Sequence, residues 1–331
     1  MSSGHADLFG HFQHATNLNP NEIKLLQYNK KASIVHVASL VGLFLAYNVW
    51  ATAKKHAVRN AYRYQIAGPP PDTSPPPFDP SQETPLICTT NPVAPEPGQC
   101  TTEPNYQAPK KVFSFNIIWA CFAFFAFTAV AHAWYASDRG YITNVRQGWN
   151  PLRWFEYAVS ASLMSVIIGL IDGADDAALL WALFLMTAGM QLCGYTTEAV
   201  LKQPGHVNAT AIMGSTTTGW LLFIGLWSIL IYSFMTQVHD VDVKYKGVEQ
   251  TTGPQTGKPI KVPSWIYIII LIQLVNYALF GFIQYQHIQE RLKGPVDFIK
   301  YEHKYIALSF IAKIGLAAGI GYGLIFRVKN C

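Results

Sequence analysis

Lys313 is the residue whose position most demands a chemical explanation. It lies near the centre of the apolar stretch YIALSFIAKIGLAAGIGYGLIF, too deep for its ammonium group to reach a membrane surface easily. A charged side chain at mid-membrane costs at least about 2.5–3.5 kcal/mol. A lysine held in an apolar pocket can become a nucleophile for aldehydes and form a Schiff base. Its position alone leaves this chemistry and a structural ion pair equally open.

Glu156 is the natural partner of this lysine. It lies sixteen residues before Asp172, at the end of its own apolar segment, and Lys313 lies fourteen residues before Arg327. If the two segments run in the same direction, a rise of about 1.5 Å per residue places both side chains within roughly one helical turn in depth. A buried cation needs an anion beside it. Glu156 is therefore the predicted counter-charge.

Two serines and two histidines could complete a polar site around this pair. Ser160 follows Glu156 by one turn, and Ser309 precedes the lysine by one turn, so both would face the pair. His36 lies just inside the first apolar segment and His132 near the end of the second. With Glu156 they could form a hydrated cavity that holds or passes protons. Serines that only allow close helix packing and histidines at the membrane interface are the alternatives. A metal site is not expected, since no third ligand has a suitable spacing.

Seven long apolar segments must position these residues. Half of the residues are hydrophobic and 13% are charged, whereas soluble domains carry about 25% charged residues. The segments cover residues 32–53, 112–137, 152–171, 177–200, 211–235, 262–288 and 305–326. Segments of about 20 residues span the hydrocarbon core, and a helix satisfies every backbone group in lipid. The sequence therefore predicts an all-α membrane protein, a bundle of seven transmembrane helices.

The loops and termini predict the topology. We expect a tail at residues 1–31, a bundle at 32–327 with a long proline-rich loop at 54–111, and a short end at 328–331. Lys and Arg in the short loops favour a cytoplasmic N-terminus and an extracellular C-terminus. The tight GADD loop makes the third and fourth helices antiparallel neighbours. Cys88 and Cys100 share the long loop and could form a disulfide in an oxidising compartment.

Charge patterning limits the partners. The formal net charge of +5 comes from Lys and Arg near the ends of the apolar segments, which suits lipid headgroups. A basic stripe of the kind that nucleic acid needs is not seen, so no nucleic-acid partner is expected. Asp172, Asp175, Asp176 and Glu198 lie at segment ends and are interpreted as interfacial charges.

Several stretches resemble the heliorhodopsins, a family of retinal-binding proteins with seven helices. The stretches NPLRWFEYAVSASLM (residues 150–164) and EHKYIALSFIAK (302–313) resemble the family's third and seventh helices. Further matches are SIVHVASL around His36, AVAHAW around His132, FIQY at 282–285, and Glu198, which matches an acidic residue ending the fourth helix. The resemblance covers all seven helices.

The resemblance implies a role for each matching residue. Lys313 would carry all-trans retinal as a covalent, protonated Schiff base, and Glu156 would be its counterion. Ser309 and Ser160 would form hydrogen bonds near the Schiff base. The residues implied to line a cytoplasmic polar cavity are His36, His132 and Glu198. The residues implied to contact the polyene are Met164, Met190, Phe223, Phe280 and Tyr277. The family also implies a cytoplasmic N-terminus, a homodimer and an extracellular hairpin between the first two helices.

The same resemblance bears on proton pumping. Microbial proton pumps resemble one another in a third-helix carboxylate, a hydroxyl four residues later and a donor carboxylate seven beyond that. Here these positions are Glu156, Ser160 and Ile167, so the donor position is apolar, and Ser309 stands where pumps have an aspartate. We therefore expect a light sensor that does not pump and that signals through an unknown partner or through its own loops. A light-gated passive proton or ion conductor is the alternative. An intramembrane enzyme using Lys313 and Glu156 is the third and least favoured class, and it predicts a colourless protein.

Overall fold

The computed structural model describes residues 18–49, 58–63, 110–202, 208–244, 262 and 264–328. Eight helices and two strands lie in these ranges. They are α1 (Pro20–Val49), β1 (Val58–Arg63), β2 (Lys110–Asn116), α2 (Ile117–Ser137), α3 (Arg139–Arg146), α4 (Pro151–Ile171), α5 (Ala177–Lys202), α6 (Ala209–Lys244), α7 (Ser264–Arg291) and α8 (Ile299–Val328). The predicted disulfide between Cys88 and Cys100 lies outside the described residues.

Seven of the described helices are long, and α3 is the short exception. Six of them, α2 and α4 to α8, are long and apolar enough to cross a membrane. The seventh, α1, packs against α2 and α8. Helix α4 packs along α5, α5 along α6, and α7 along α8. This arrangement is the predicted helical membrane bundle, in which α4 and α8 correspond to the third and seventh transmembrane helices.

Helix α1 begins earlier than hydropathy indicated. We expected a tail up to residue 31, but the helix already begins at Pro20. The backbone N–H of Asn19 donates to the Glu22 carboxylate over 2.8 Å, and the backbone N–H of Glu22 donates back to Asn19 Oδ1 over 2.9 Å. This reciprocal pair is a capping box, and proline is favoured in the first helical turn. The polar residues 20–31 therefore extend the first helix.

Two short antiparallel strands precede α2. Strand β1 pairs with β2, with Val58 opposite Asn116 and Arg63 opposite Lys110. The predicted second segment began at residue 112, but residues 110–116 are extended and α2 begins at Ile117. The side chain of Asn116 accepts from the N–H groups of Ile118 and Trp119 and so caps the helix. The pairing agrees with the hairpin implied by the resemblance.

The reversal between α4 and α5 is as tight as the sequence indicated. Gly173 adopts a φ of +89°, a conformation that favours glycine. Helix α4 ends at Ile171, and the N–H of its C-cap Asp172 donates to the Ile168 carbonyl over 2.9 Å. We interpreted Asp172 as an interfacial charge, and this was wrong, since its side chain is fully buried. The turn folds it under the loop instead of exposing it.

One half of the bundle interior is apolar. It surrounds the C-terminal part of α4. Ile167 and Ile168 are buried there against Leu183, Leu226 and Leu230. The buried polar and charged residues concentrate towards the opposite half, where α4 begins. Of the predicted polyene contacts, Met164 and Tyr277 belong to the apolar cluster, and Met190 and Phe223 pack against it.

Candidate functional site

Lys313 and Glu156 form a buried ion pair between α8 and α4. The Nζ of Lys313 donates to Glu156 Oε1 over 2.7 Å and to Ser309 Oγ over 2.8 Å. Ser160 Oγ donates to the same Glu156 oxygen over 2.9 Å. All four side chains are buried. The structure therefore brings together the lysine, the carboxylate and both serines that the sequence singled out.

Thr128 is a fifth member of this site, and the sequence reasoning missed it. Its hydroxyl, contributed by α2, also donates to Glu156 Oε1. It lies one helical turn before His132 on the same face of the helix, and that spacing could have identified it. One carboxylate oxygen thus accepts hydrogen bonds from α2, α4 and α8. These three donors hold the Glu156 carboxylate in place between the helices.

A cavity extends from Lys313 between α4, α5, α6 and α7. Most of its lining surface is apolar and a few polar side chains interrupt it, as is typical of small-molecule sites. All five side chains predicted to contact a polyene line it: Met164, Met190, Phe223, Tyr277 and Phe280. The cavity therefore offers an apolar lining to a long apolar molecule attached to Lys313.

Two glycines allow tryptophan rings to form part of the cavity wall. A Cβ atom at Gly194 on α5 would overlap the indole ring of Trp154 on α4. A Cβ atom at Gly281 on α7 would lie 2.9 Å from the ring of Trp220 on α6. Both tryptophans line the cavity. The two glycines therefore help to set its shape.

His36 and His132 lie together in the interior, as predicted. Their rings stack with centroids 5.6 Å apart and planes 5° apart, and both side chains are buried. His132 Nδ1 lies 2.8 Å from Asn29 Oδ1. An amide oxygen only accepts, so Nδ1 of His132 carries a proton and donates it to Asn29. Neither ring nitrogen of His36 has a hydrogen-bond partner among the described residues.

Glu198 does not lie beside the histidines, which corrects its predicted place in their cavity and at the interface. It is fully buried, and its carboxylate contacts the guanidinium of Arg153. The same guanidinium contacts the carboxylate of Glu302 on α8. The backbone N–H of Asn150 donates to Glu198 over 3.0 Å, and the Asn150 amide donates to Glu302 over 3.0 Å. We call Arg153, Glu198 and Glu302 the charged triad.

A chain of hydrogen bonds joins His132 to the charged triad. The Asn29 amide nitrogen donates to the Tyr141 hydroxyl over 3.2 Å. That hydroxyl donates to Glu302 Oε2 over 2.9 Å. Because His132 donates to Asn29, every donor in this chain points towards Glu302. The histidines and the charged triad are thus two ends of one oriented network.

Two carboxylates outside the membrane-spanning segments have shifted pKa values. Burial raises the pKa of Asp172 to about 8, and neither of its carboxyl oxygens has a partner among the described residues. In contrast, hydrogen bonds from Arg146 lower the pKa of Glu22. Two guanidinium nitrogens of Arg146 lie 2.6 Å and 2.8 Å from the Glu22 oxygens. This pair fastens the start of α1 to α3.

The comparisons with known proteins agree with this geometry. The sequence model of the heliorhodopsin family matches residues 85–324. The chain belongs to the heliorhodopsin family. This heliorhodopsin is therefore a light-responsive membrane protein of the rhodopsin type, a class that binds retinal. No curated protein matches the chain. Within the described ranges, no group of three or more potential metal ligands comes together.

Proposed function

We propose that this heliorhodopsin is a light sensor that carries all-trans retinal as a protonated Schiff base on Lys313. The observation that carries the proposal is the buried Lys313–Glu156 pair at 2.7 Å, in which Lys313 also lines a mainly apolar cavity. Bound retinal supplies absorption of visible light and isomerisation of its polyene. The protein residues supply attachment, orientation and charge balance.

Each residue at the pair has a separable task. Glu156 places a negative charge beside the Lys313 nitrogen, which offsets the cost of holding a cation away from water. Thr128 and Ser160 hold the carboxylate in place by donating to Oε1. Ser309 accepts from Nζ and orients that nitrogen. Side chains from α2, α4 and α8 thereby hold the pair. A change of charge or shape at the nitrogen therefore alters contacts to all three helices.

The distribution of polar residues supports a sensor over a pump. A vectorial pump needs groups that carry a proton on both sides of the lysine. On one side stand the histidines and the charged triad. On the other side, the position expected for a donor is Ile167, fully buried among Ile168 and Leu183. We propose that the polar half faces the cytoplasm, with the N-terminus inside and the C-terminus outside.

A light-gated passive conductor is the second candidate, and the oriented chain from His132 to Glu302 favours it. Voltage-clamped cells that express the protein separate the two functions. A sensor predicts no light-evoked current at any voltage. A current that reverses with the ion gradient and is absent in Lys313→Ala cells would establish the conductor and overturn the sensor.

The assembly and the output of the sensor are also proposals. We propose a homodimer in the lipid bilayer, in line with the family resemblance, and a signalling partner whose identity is unknown. Mass measurement of the detergent-solubilised protein tests the dimer, and a monomeric mass would contradict it. We propose no enzymatic role for Lys313 and Glu156, because an enzyme that uses them as a free acid–base pair would be colourless. A purified protein that binds no retinal but turns over a substrate would contradict this.

A further inference from the structure

The charged triad holds more negative than positive charge. The Arg153 guanidinium contacts both carboxylates, and the side chains of all three residues are at most 3% exposed. Arginine stays protonated in proteins. If both carboxylates were ionised, one net negative charge would remain in the interior, and an uncompensated buried charge is strongly unfavourable.

We propose that Glu198 and Glu302 together hold one proton at neutral pH, which makes the charged triad a second protonation site, separate from Glu156. Two carboxylates that share one guanidinium titrate as a coupled pair, since ionising the second places like charges close together. The proton is bound as an O–H on one of the two carboxyl groups, and its release to water leaves both ionised. The proposal concerns the resting protein and does not depend on bound retinal.

The neighbouring groups lower the free-energy cost of ionising both carboxylates, but they do not remove it. Asn150 and Tyr141 donate three hydrogen bonds to the two carboxylates. Asn150 is also the N-cap of α4, so the positive end of that helix faces the pair. These are neutral donors and a partial charge, and they weigh less than a full counter-ion. The pair therefore keeps its proton at pH 7 but is poised to lose it as the pH rises.

The other titratable groups around the charged triad come from α2, α4, α7 and α8. Tyr135 on α2 stacks on Tyr141 with ring centroids 5.0 Å apart. The Arg153 guanidinium carbon lies 3.9 Å from the ring centroid of Tyr305 on α8. Tyr157 on α4 donates to the Tyr305 carbonyl over 3.1 Å. His287 on α7 packs against Phe298, which also faces the guanidinium. Phenols are neutral at pH 7, so the tyrosines do not neutralise the extra carboxylate.

The oriented chain connects this second site to the histidines. His36, whose two ring nitrogens have no partner among the described residues, stacks on His132 at the far end of this chain. A positive charge on His132 would be felt at Glu302 through Asn29 and Tyr141, because all donors point that way. The proton on the pair is thereby sensitive to events at the Lys313–Glu156 pair.

Infrared spectroscopy of the purified protein in the dark tests the proposal. The parent for every sample is Asp172→Asn, because Asp172 is a second carboxyl expected to be neutral at pH 7. We expect a protonated-carboxyl C=O band at pH 7 that disappears in a single step as the pH is raised. Either Glu198→Gln or Glu302→Gln alone should abolish it, since the remaining carboxylate then pairs with Arg153. The matched control is Glu290→Gln, an exposed carboxylate paired with Lys300, which should leave the band unchanged.

Three results would overturn the second protonation site. They are the absence of a protonated-carboxyl band in the parent at pH 7, a band that survives both triad substitutions, and a band lost only in Glu156→Gln. If the triad variants fail to fold, the test is a pH titration of the parent and of the parent that also carries Glu156→Gln. A band that persists in that variant and still disappears with rising pH supports the proposal. Spectra recorded without retinal give the same answer, so a failure to bind retinal would remain a separate result.

Discussion

Replacing Asp172 with asparagine should stabilise the protein increasingly as the pH rises. The buried carboxyl has a pKa of about 8 instead of 3.8. Between about pH 4 and pH 8 the folded protein therefore keeps a proton that the unfolded chain has already released. Stability of the wild type therefore falls across that window, because the unfolded state binds fewer protons. Asparagine has nearly the same shape and cannot ionise, so the variant does not lose stability in this way as the pH rises.

The size of the effect follows from the pKa difference. Each pKa unit is worth about 1.36 kcal/mol, so a shift of roughly four units corresponds to about 5 kcal/mol. This is an upper bound, reached above pH 8, and half of it should appear near pH 6. The assay is the thermal unfolding midpoint of purified wild type and Asp172→Asn in the same detergent from pH 5 to 9. We expect the gap between the two midpoints to widen with pH.

A nearby carboxylate provides the control. Asp176 precedes α5, and its Oδ1 accepts from the Leu179 N–H over 2.8 Å. Asparagine caps helices about as well as aspartate, so Asp176→Asn controls for the effect of an Asp-to-Asn change in the same loop. Parallel pH curves for wild type and Asp172→Asn would refute the reasoning, because they would mean that Asp172 is ionised and solvated in the folded protein.

Three further predictions concern the Schiff-base site, the cavity wall and the start of α1. Glu156→Gln should move the visible band to longer wavelength because the positive ground state loses its anion, and an unchanged spectrum would point to another counterion. Gly194→Ala should destabilise the protein by about 1–3 kcal/mol through overpacking, as measured by thermal unfolding. Gly214→Ala, with open space around the new methyl group, should not. The pKa of Glu22 is lowered by Arg146, so their pair stabilises the fold above about pH 4.5 and is lost on acidification. Glu22→Gln should therefore lower the unfolding midpoint at pH 7 and flatten its fall below pH 4.5; equal midpoints would contradict it.

The lysine–glutamate pair could be found from the sequence because helices act as rulers. A rise of about 1.5 Å per residue fixed the relative depths of Lys313 and Glu156 without knowledge of side-chain positions. The serines followed from the one-turn spacing on each helix. Helix ends were harder to locate, since hydropathy placed the start of the first helix near residue 32. The capping box at Asn19 and Glu22 was readable and would have placed it correctly.

The charged triad was missed because its members lie near the ends of apolar segments, where charges are usually solvated. Arg153 is the third residue of α4 and Glu302 the fourth of α8. Depth alone cannot tell whether such a side chain turns inward, because this depends on how each helix is rotated in the bundle. Two sequence spacings indicate which helix face these residues share with the site. Arg153 lies one turn before Glu156, and Glu302 lies three turns before Lys313, so each shares a face with a residue of the site.

The attachment of retinal to Lys313 is tested most directly by reconstitution with all-trans retinal. The wild-type protein should acquire a visible absorption band, and Lys313→Ala should have none although it still folds. Lys304→Ala serves as the matched control, because Lys304 is an exposed lysine on the same helix that bonds to Gln286, and it should keep the band. A wild type that stays colourless, or a Lys313→Ala variant that keeps the wild-type band, would contradict the proposed attachment.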